Sequence, residues 1–112
     1  MSAPPVRVLV IDDEPAIRRL LRTSLAAEGY EVVDAATGEE GLAAFSRTRF
    51  DLVLLDLGLP DIEGRDVIHR IREKGLTPII VLSIRSDERG KVEALDAGAD
   101  DYVTKPVGMD EL

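Results

Sequence analysis

The chain has 112 residues, enough for one domain around one core, and no Cys, which removes disulfides and thiolate metal sites. Its 14 basic and 22 acidic residues leave a net charge of −8, which argues against nucleic acid as the direct partner of these residues and favours cations or basic protein surfaces. No apolar run approaches the roughly 18 residues of a membrane span, and MSAPPVRV lacks the charged start and apolar centre of a signal peptide, so the expectation is a cytoplasmic domain without membrane insertion.

Residues 1–5 read as a flexible tail before a domain spanning 6–112. VRVLVI (6–11) is a short β-branched and apolar run, the mark of a strand covered on both faces. Pro15 opens an amphipathic helix with Ile17, Leu20, Leu21 and Leu25 at helical spacing, stopping near Gly29. YEVVDAA is a second strand. TGEEGLAAFSRT is a second helix, capped by Thr37, with Leu42 and Phe45 facing inward. DLVLLD (51–56) is a third strand, and GRDVIHRIREK a third helix that buries Val67, Ile68 and Ile71 and ends at Gly75. TPIIVLS (77–83), SDERGKVEALDAGA and DYVTK follow as strand, helix and strand. GMDEL (108–112) reads as the first turn of a fifth helix that is largely missing. This alternation predicts an α/β, doubly wound sheet of five parallel strands with helices on both faces.

In such sheets ligands sit beyond the carboxyl ends of the strands, at the switch in strand order. The first strand delivers Asp12 and Asp13 there, the third Asp56, the fourth Ser83, and the fifth Lys105 followed by Pro106. Two adjacent carboxylates at the end of an apolar strand need compensation by a cation, by protonation or by water. Oxygen-only ligands at one edge suit Mg²⁺ or Mn²⁺. A carboxylate beside such a metal is a nucleophile toward phosphorus, with Ser83 as donor and Lys105 as counter-charge to the phosphoryl oxygens. DDEP carries no glycine, which argues against a nucleotide-binding loop at the same place.

Each residue also has a plainer reading. Asp12 and Asp13 could cap the first helix, Ser83 the fourth, and Asp61 and Glu63 read as turn residues. His69 lies mid-helix among charges and reads as exposed and inert. Arg18, Arg19 and Arg22 read as a solvated basic face, with kinase docking as the alternative.

DD after the first strand, the D of LVLLDLGLPD, the S of VLSIRS and the KP after DDYVT together resemble the receiver domain of two-component response regulators, from about Val6 to Leu112. DLGLPD and EALDAGADDY further resemble potassium-responsive regulators of the winged-helix DNA-binding class. The resemblance implies a flavodoxin-like sheet of order 2-1-3-4-5. It implies Asp56 as phospho-acceptor from a sensor histidine kinase, and Mg²⁺ on Asp13, Asp56 and the Gly58 carbonyl, with Asp12 acting partly through water. It implies Ser83 and Tyr102 as a switch pair and a cis Lys105–Pro106 bond. Lys91, Asp96, Asp100 and Asp101 would serve a homodimer formed on phosphorylation, and DNA would be bound only through a C-terminal domain absent from this sequence. With the fifth helix cut short, that dimer should be weak.

Two departures from the family pattern stand out. Ile84 follows Ser83 where the family usually has a small residue, which should slow phosphorylation by small donors, hydrolysis, or both. Val107 replaces the usual Phe after KP. The competing function is a Mg²⁺-dependent phosphohydrolase with an aspartyl nucleophile, but its second Asp would fall at Gly58 and the chain has no room for a substrate cap. A receiver acting without phosphorylation is the third reading. The expectation is a signalling domain that turns over no external substrate.

Overall fold

The structure, a computed structural model, describes residues 4–83 and 88–104; Ile84, Lys105, Pro106, Val107 and 108–112, and the expectations attached to them, lie outside the described residues. The elements are β1 (Arg7–Ile11), α1 (Pro15–Ala27), β2 (Glu31–Ala35), α2 (Gly38–Arg47), β3 (Leu52–Asp56), α3 (Gly64–Lys74), β4 (Ile79–Ser83), α4 (Glu88–Ala97) and β5 (Asp101–Thr104). All strand pairs are parallel, in the order β2-β1-β3-β4-β5, so the sheet is doubly wound and flavodoxin-like as expected. The order reverses between β1 and β3, and that gap is the switch point.

Alternation along the central strands divides the core in two. Leu9, Ile11, Val53, Leu55, Ile79 and Val81 face one way, against Val67, Ile68 and Ile71 of α3 and Ala94 of α4. Val8, Val10, Leu54 and Leu82 face the other way, against Leu21 of α1. Both faces of β1, β3 and β4 are therefore dry, which is why their sequences are nearly continuous apolar runs. Fully burying each such side chain is worth about 1.5–3 kcal/mol.

Helix α1 departs from its expected inner face in one place. Leu21 is buried with Ile17 and Leu25 beside it, whereas Leu20 is 43% exposed. The two leucines are about 100° apart on the helix, and only one can face the sheet. The helix ends where Gly29, at φ +92°, lets the Tyr30 N–H reach back to the Leu25 carbonyl. Helix α2 begins as expected, with Thr37 Oγ1 accepting from the Glu40 N–H at 3.1 Å. It lies unusually close to β1, because a Cβ on Gly41 would fall 2.7 Å from Ile11 Cγ1.

The basic face of α1 is not simply solvated. Arg18 and Arg22 both pair with Asp34 of β2, each at 3.3 Å, and Arg18 Nη1 also donates to the Asp12 carbonyl at 2.8 Å. At the opposite end of the sheet, Arg72 of α3 donates to the Gly98 and Thr77 carbonyls at 2.9 and 2.6 Å and to Asp100 at 2.8 Å. That guanidinium ties together the start of β4, the end of α4 and the turn into β5.

Candidate functional site

Strands β1 and β3 are neighbours, with Ile11 opposite Leu55. The next residue on each strand is Asp12 or Asp56, so the register alone sets these two carboxylates side by side. Both are buried, at 1% and 8% exposure, while Asp13 is exposed. One carboxylate oxygen from each of Asp12, Asp13 and Asp56 lies within 4.8 Å of the others. The three strand-end carboxylates anticipated from the sequence do converge.

The chain holds them in place through its backbone. The Asp12 N–H donates to the Ala35 carbonyl at 3.0 Å, and Asp12 Oδ1 accepts from the Glu14 N–H at 2.9 Å. The capping role thus belongs partly to Asp12, since the Glu14 side chain at the helix start caps nothing. Asp56 Oδ1 accepts from the Gly58 N–H at 3.2 Å, which folds the 57–63 loop back over the strand end. Gly64 closes that loop by resting on Leu57, whose Cα would be 3.0 Å from a Cβ at position 64.

Ser83 ends β4 one residue beyond Leu82, the partner of Asp56, and is 3% exposed. It lines the same cleft of about 540 Å³ as Asp13, Asp56 and Gly58. Val81 pairs with Tyr102, so Ser83 and Tyr102 stand on one face of the sheet, two residues apart in register. Tyr102 is half-buried against the larger core cluster.

The arrangement suits a small hard cation. Three carboxylate oxygens within 4.8 Å of one another are close enough to share one such ion. The donor set is oxygen only, which selects Mg²⁺ or Mn²⁺ over softer-ligand metals.

Four residues expected at a dimer face have unequal situations. Lys91 and Asp96 are exposed on α4, and Asp101 is exposed at the start of β5, its Oδ1 accepting from the Tyr102 N–H at 2.8 Å. Asp100 is already engaged, its Oδ2 accepting from both Arg72 and the Ile79 N–H. His69 is exposed, as read from the sequence.

Sequence reasoning missed three residues around the cleft. Arg65, paired with Glu63 at 3.3 Å, is the one cation among the described residues lining it, and Glu93 of α4 forms part of its far wall. Asp61 is more than a turn residue. Its Oδ1 and Oδ2 accept from the Gly38 and Glu39 N–H groups at the start of α2, both at 2.9 Å. Those bonds, that from the Glu39 N–H first and that from Gly38 second in effect, hold its carboxyl below the ordinary carboxylate pKa. Nothing in a single sequence says which helix an Asp some 22 residues away will cap.

Carboxylates from two adjacent strand ends, a buried hydroxyl on a third and a doubly wound sheet of order 2-1-3-4-5 define a class. Residues 8–112 match the model of the response regulator receiver domain, and the chain belongs to that family. It is 58% identical over 105 residues to the transcriptional regulatory protein KdpE of Mycobacterium tuberculosis, covering 94% of this chain and 46% of that protein. It is 50% identical over 105 residues to the KDP operon transcriptional regulatory protein KdpE of Escherichia coli, covering 94% and 47%. The chain therefore spans about half the length of these curated relatives. Among solved structures, the response regulator TrrA of Thermotoga maritima, in complex with Mg²⁺ and BeF, is 44% identical with a TM-score of 0.83, over 95% of this chain and 91% of that one.

Proposed function

We propose that this receiver domain accepts a phosphoryl group on Asp56 from a sensor histidine kinase, with Mg²⁺ held by Asp13, Asp56 and the Gly58 carbonyl and assisted by Asp12. The observation that carries the reading is the meeting of three carboxylate oxygens within 4.8 Å at the switch point, beside buried Ser83. The T. maritima relative, whose structure contains Mg²⁺ and BeF, supports it by likeness.

The bound cation would offset the carboxylate charge and the negative charge building on the phosphoryl oxygens. The chain supplies the rest. An Asp56 carboxylate oxygen attacks phosphorus, an O–P bond forms, the N–P bond of the phosphohistidine breaks, and the imidazole leaves with a proton. The Gly58 N–H on Oδ1 orients the carboxylate and favours attack by the other oxygen. Ser83 Oγ donates to one phosphoryl oxygen, and Lys105 neutralises another. The Ser83 hydroxyl moving toward the phosphoryl group leaves room for Tyr102, on the same face, to follow.

That change would alter the α4–β5 face, where Lys91, Asp96 and Asp101 are exposed and support a homodimer. By likeness to the two KdpE proteins, the output would be transcription of potassium-transport genes, through a DNA-binding domain outside this sequence. No helix among the described residues is long and apolar enough to cross a membrane, which fits action in the cytoplasm. No external substrate would be turned over.

Intact mass after incubation with acetyl phosphate and Mg²⁺ tests the reading. The expected result is a gain of one phosphoryl group, absent from Asp56→Ala and absent without Mg²⁺. No gain with acetyl phosphate, with phosphorylated kinase or in an Ile84→Ala variant would sink it.

A further inference from the structure

The loop 57–63 between β3 and α3 carries Gly58 and is held at three points. At its start the Gly58 N–H donates to Asp56, and at its end Gly64 rests on Leu57. Between them, Asp61 leaves the loop altogether and grips the first turn of α2 through two hydrogen bonds of 2.9 Å. Ile62 packs under the same turn, its Cβ 3.2 Å from where a Cβ on Gly38 would lie. The N–H groups of a helix's first turn have no partner within the helix, so this bidentate contact satisfies two of them at once. A third, that of Glu40, is taken by Thr37.

Helix α2 in turn rests on β1 through Gly41 and Ile11, the residue before Asp12. A continuous path therefore runs from Asp12 and Asp13 at the end of β1, through α2, to Asp61, and along the loop to Gly58 and Asp56. Asp61 is a polar side-chain link between the two halves of that path. The two N–H groups also hold its carboxyl below the ordinary carboxylate pKa.

We infer that Asp61 is a positioning residue for the divalent-cation site. It fixes the 57–63 loop against α2 and so sets the Gly58 carbonyl relative to Asp12, Asp13 and Asp56. This rests on the reading that those groups hold Mg²⁺. Asp61 touches neither the cation nor the phosphoryl group; it acts through the backbone of the loop.

A helix cap and a positioning residue differ in what their removal changes. The Thr37 side chain caps the same helix end through the Glu40 N–H rather than through the loop, so Thr37→Ala reports the effect of weakening α2. The experiment is calorimetric titration of Mg²⁺ into the wild type, Asp61→Ala, Asp61→Asn and Thr37→Ala, with the melting temperature of each. Asp61→Ala should weaken Mg²⁺ binding about 10-fold, the lower end of the range for groups that orient metal ligands. Asp61→Asn, which keeps one acceptor, should fall between it and the wild type and decides the matter should the alanine variant not fold. Thr37→Ala should melt lower yet bind Mg²⁺ as the wild type does.

Unchanged Mg²⁺ affinity in the Asp61 variants would overturn the inference and leave Asp61 as a cap alone. Equal weakening in Thr37→Ala would overturn it too, because the site would then follow the stability of α2. Failure of the wild type to bind Mg²⁺ would remove the metal reading itself, and the inference with it.

Discussion

Asp100 accepts two hydrogen bonds on one oxygen: Oδ2 lies 2.8 Å from Arg72 Nη2 and 2.8 Å from the Ile79 backbone N. The same guanidinium satisfies the Gly98 and Thr77 carbonyls, and its side chain is only 18% exposed. Arg72→Ala strands these acceptors, and the expected cost is about 2 kcal/mol in urea unfolding. Asp100→Asn should cost less than Arg72→Ala, because the Asp100 carboxylate is 55% exposed and water screens the pair. Equal costs would mean that the ion pair, not the two carbonyl contacts, holds the node.

Asp13 contributes to the candidate metal site but not to the buried framework, being exposed where Asp12 and Asp56 are buried. Asp13→Asn removes one of three crowded like charges, so the metal-free protein should melt at the same or a higher temperature. Mg²⁺ should stabilise the wild type by about 2.7 kcal/mol at a hundred times its dissociation constant, and the variant far less at the same concentration. Thermal melts with and without Mg²⁺ read both effects. Equal Mg²⁺ stabilisation in both proteins would exclude Asp13 as a ligand.

Gly41→Ala forces a methyl group against Ile11, a fully buried side chain with little room to retreat. Overpacking of this kind costs about 1–3 kcal/mol, and equilibrium denaturation measures it. Because the contact lies one residue before Asp12, the variant should also bind Mg²⁺ more weakly.

The Asp61 carboxyl has a folded pKa below its ordinary value of 3.8. A depressed pKa means the folded state prefers the ionised form, so the stability it confers is complete above 3.8 and is lost as pH falls through the folded value. Asp61 is exposed, and the effect is correspondingly modest. Asp61→Asn should therefore flatten the loss of stability below pH 3.8 in acid melts, leaving the neutral range to the hydrogen bonds alone.

The architecture was legible wherever local pattern and global fold agree. β1, β3 and β4 announce themselves as apolar runs because both their faces are dry, and most element boundaries fell within a few residues of a Pro, Gly or Thr signal. The meeting of Asp12, Asp13 and Asp56 was legible because strand ends in a parallel sheet have only one edge to share. What could not be read were the polar contacts between elements distant in sequence. Arg18, Arg22 and Arg72 sit at helical positions where an arginine normally faces water, and their carboxylate partners lie 12 to 28 residues away. Leu20 shows the converse limit, since helical spacing admits it to the inner face and only the rotation of α1, which turns Leu21 onto the sheet, excludes it.

Helix α4 is tethered at one end and borders the cleft at the other. Arg72 grips the Gly98 carbonyl just past its last turn, while Gly90, Glu93 and Ala94 form part of the cleft wall. Gly90 and Gly98 are separated by eight residues, an arm of about 12 Å. The helix is thus a lever with its fulcrum at Arg72, at the edge of the sheet opposite the carboxylates. On the proposed phosphorylation, a shift imposed from the cleft would be largest near Gly90 and fade toward Asp100. Lys91, near the moving end, would sweep a longer arc than Asp96, near the pivot, so a partner gripping both would feel a change of angle more than of distance.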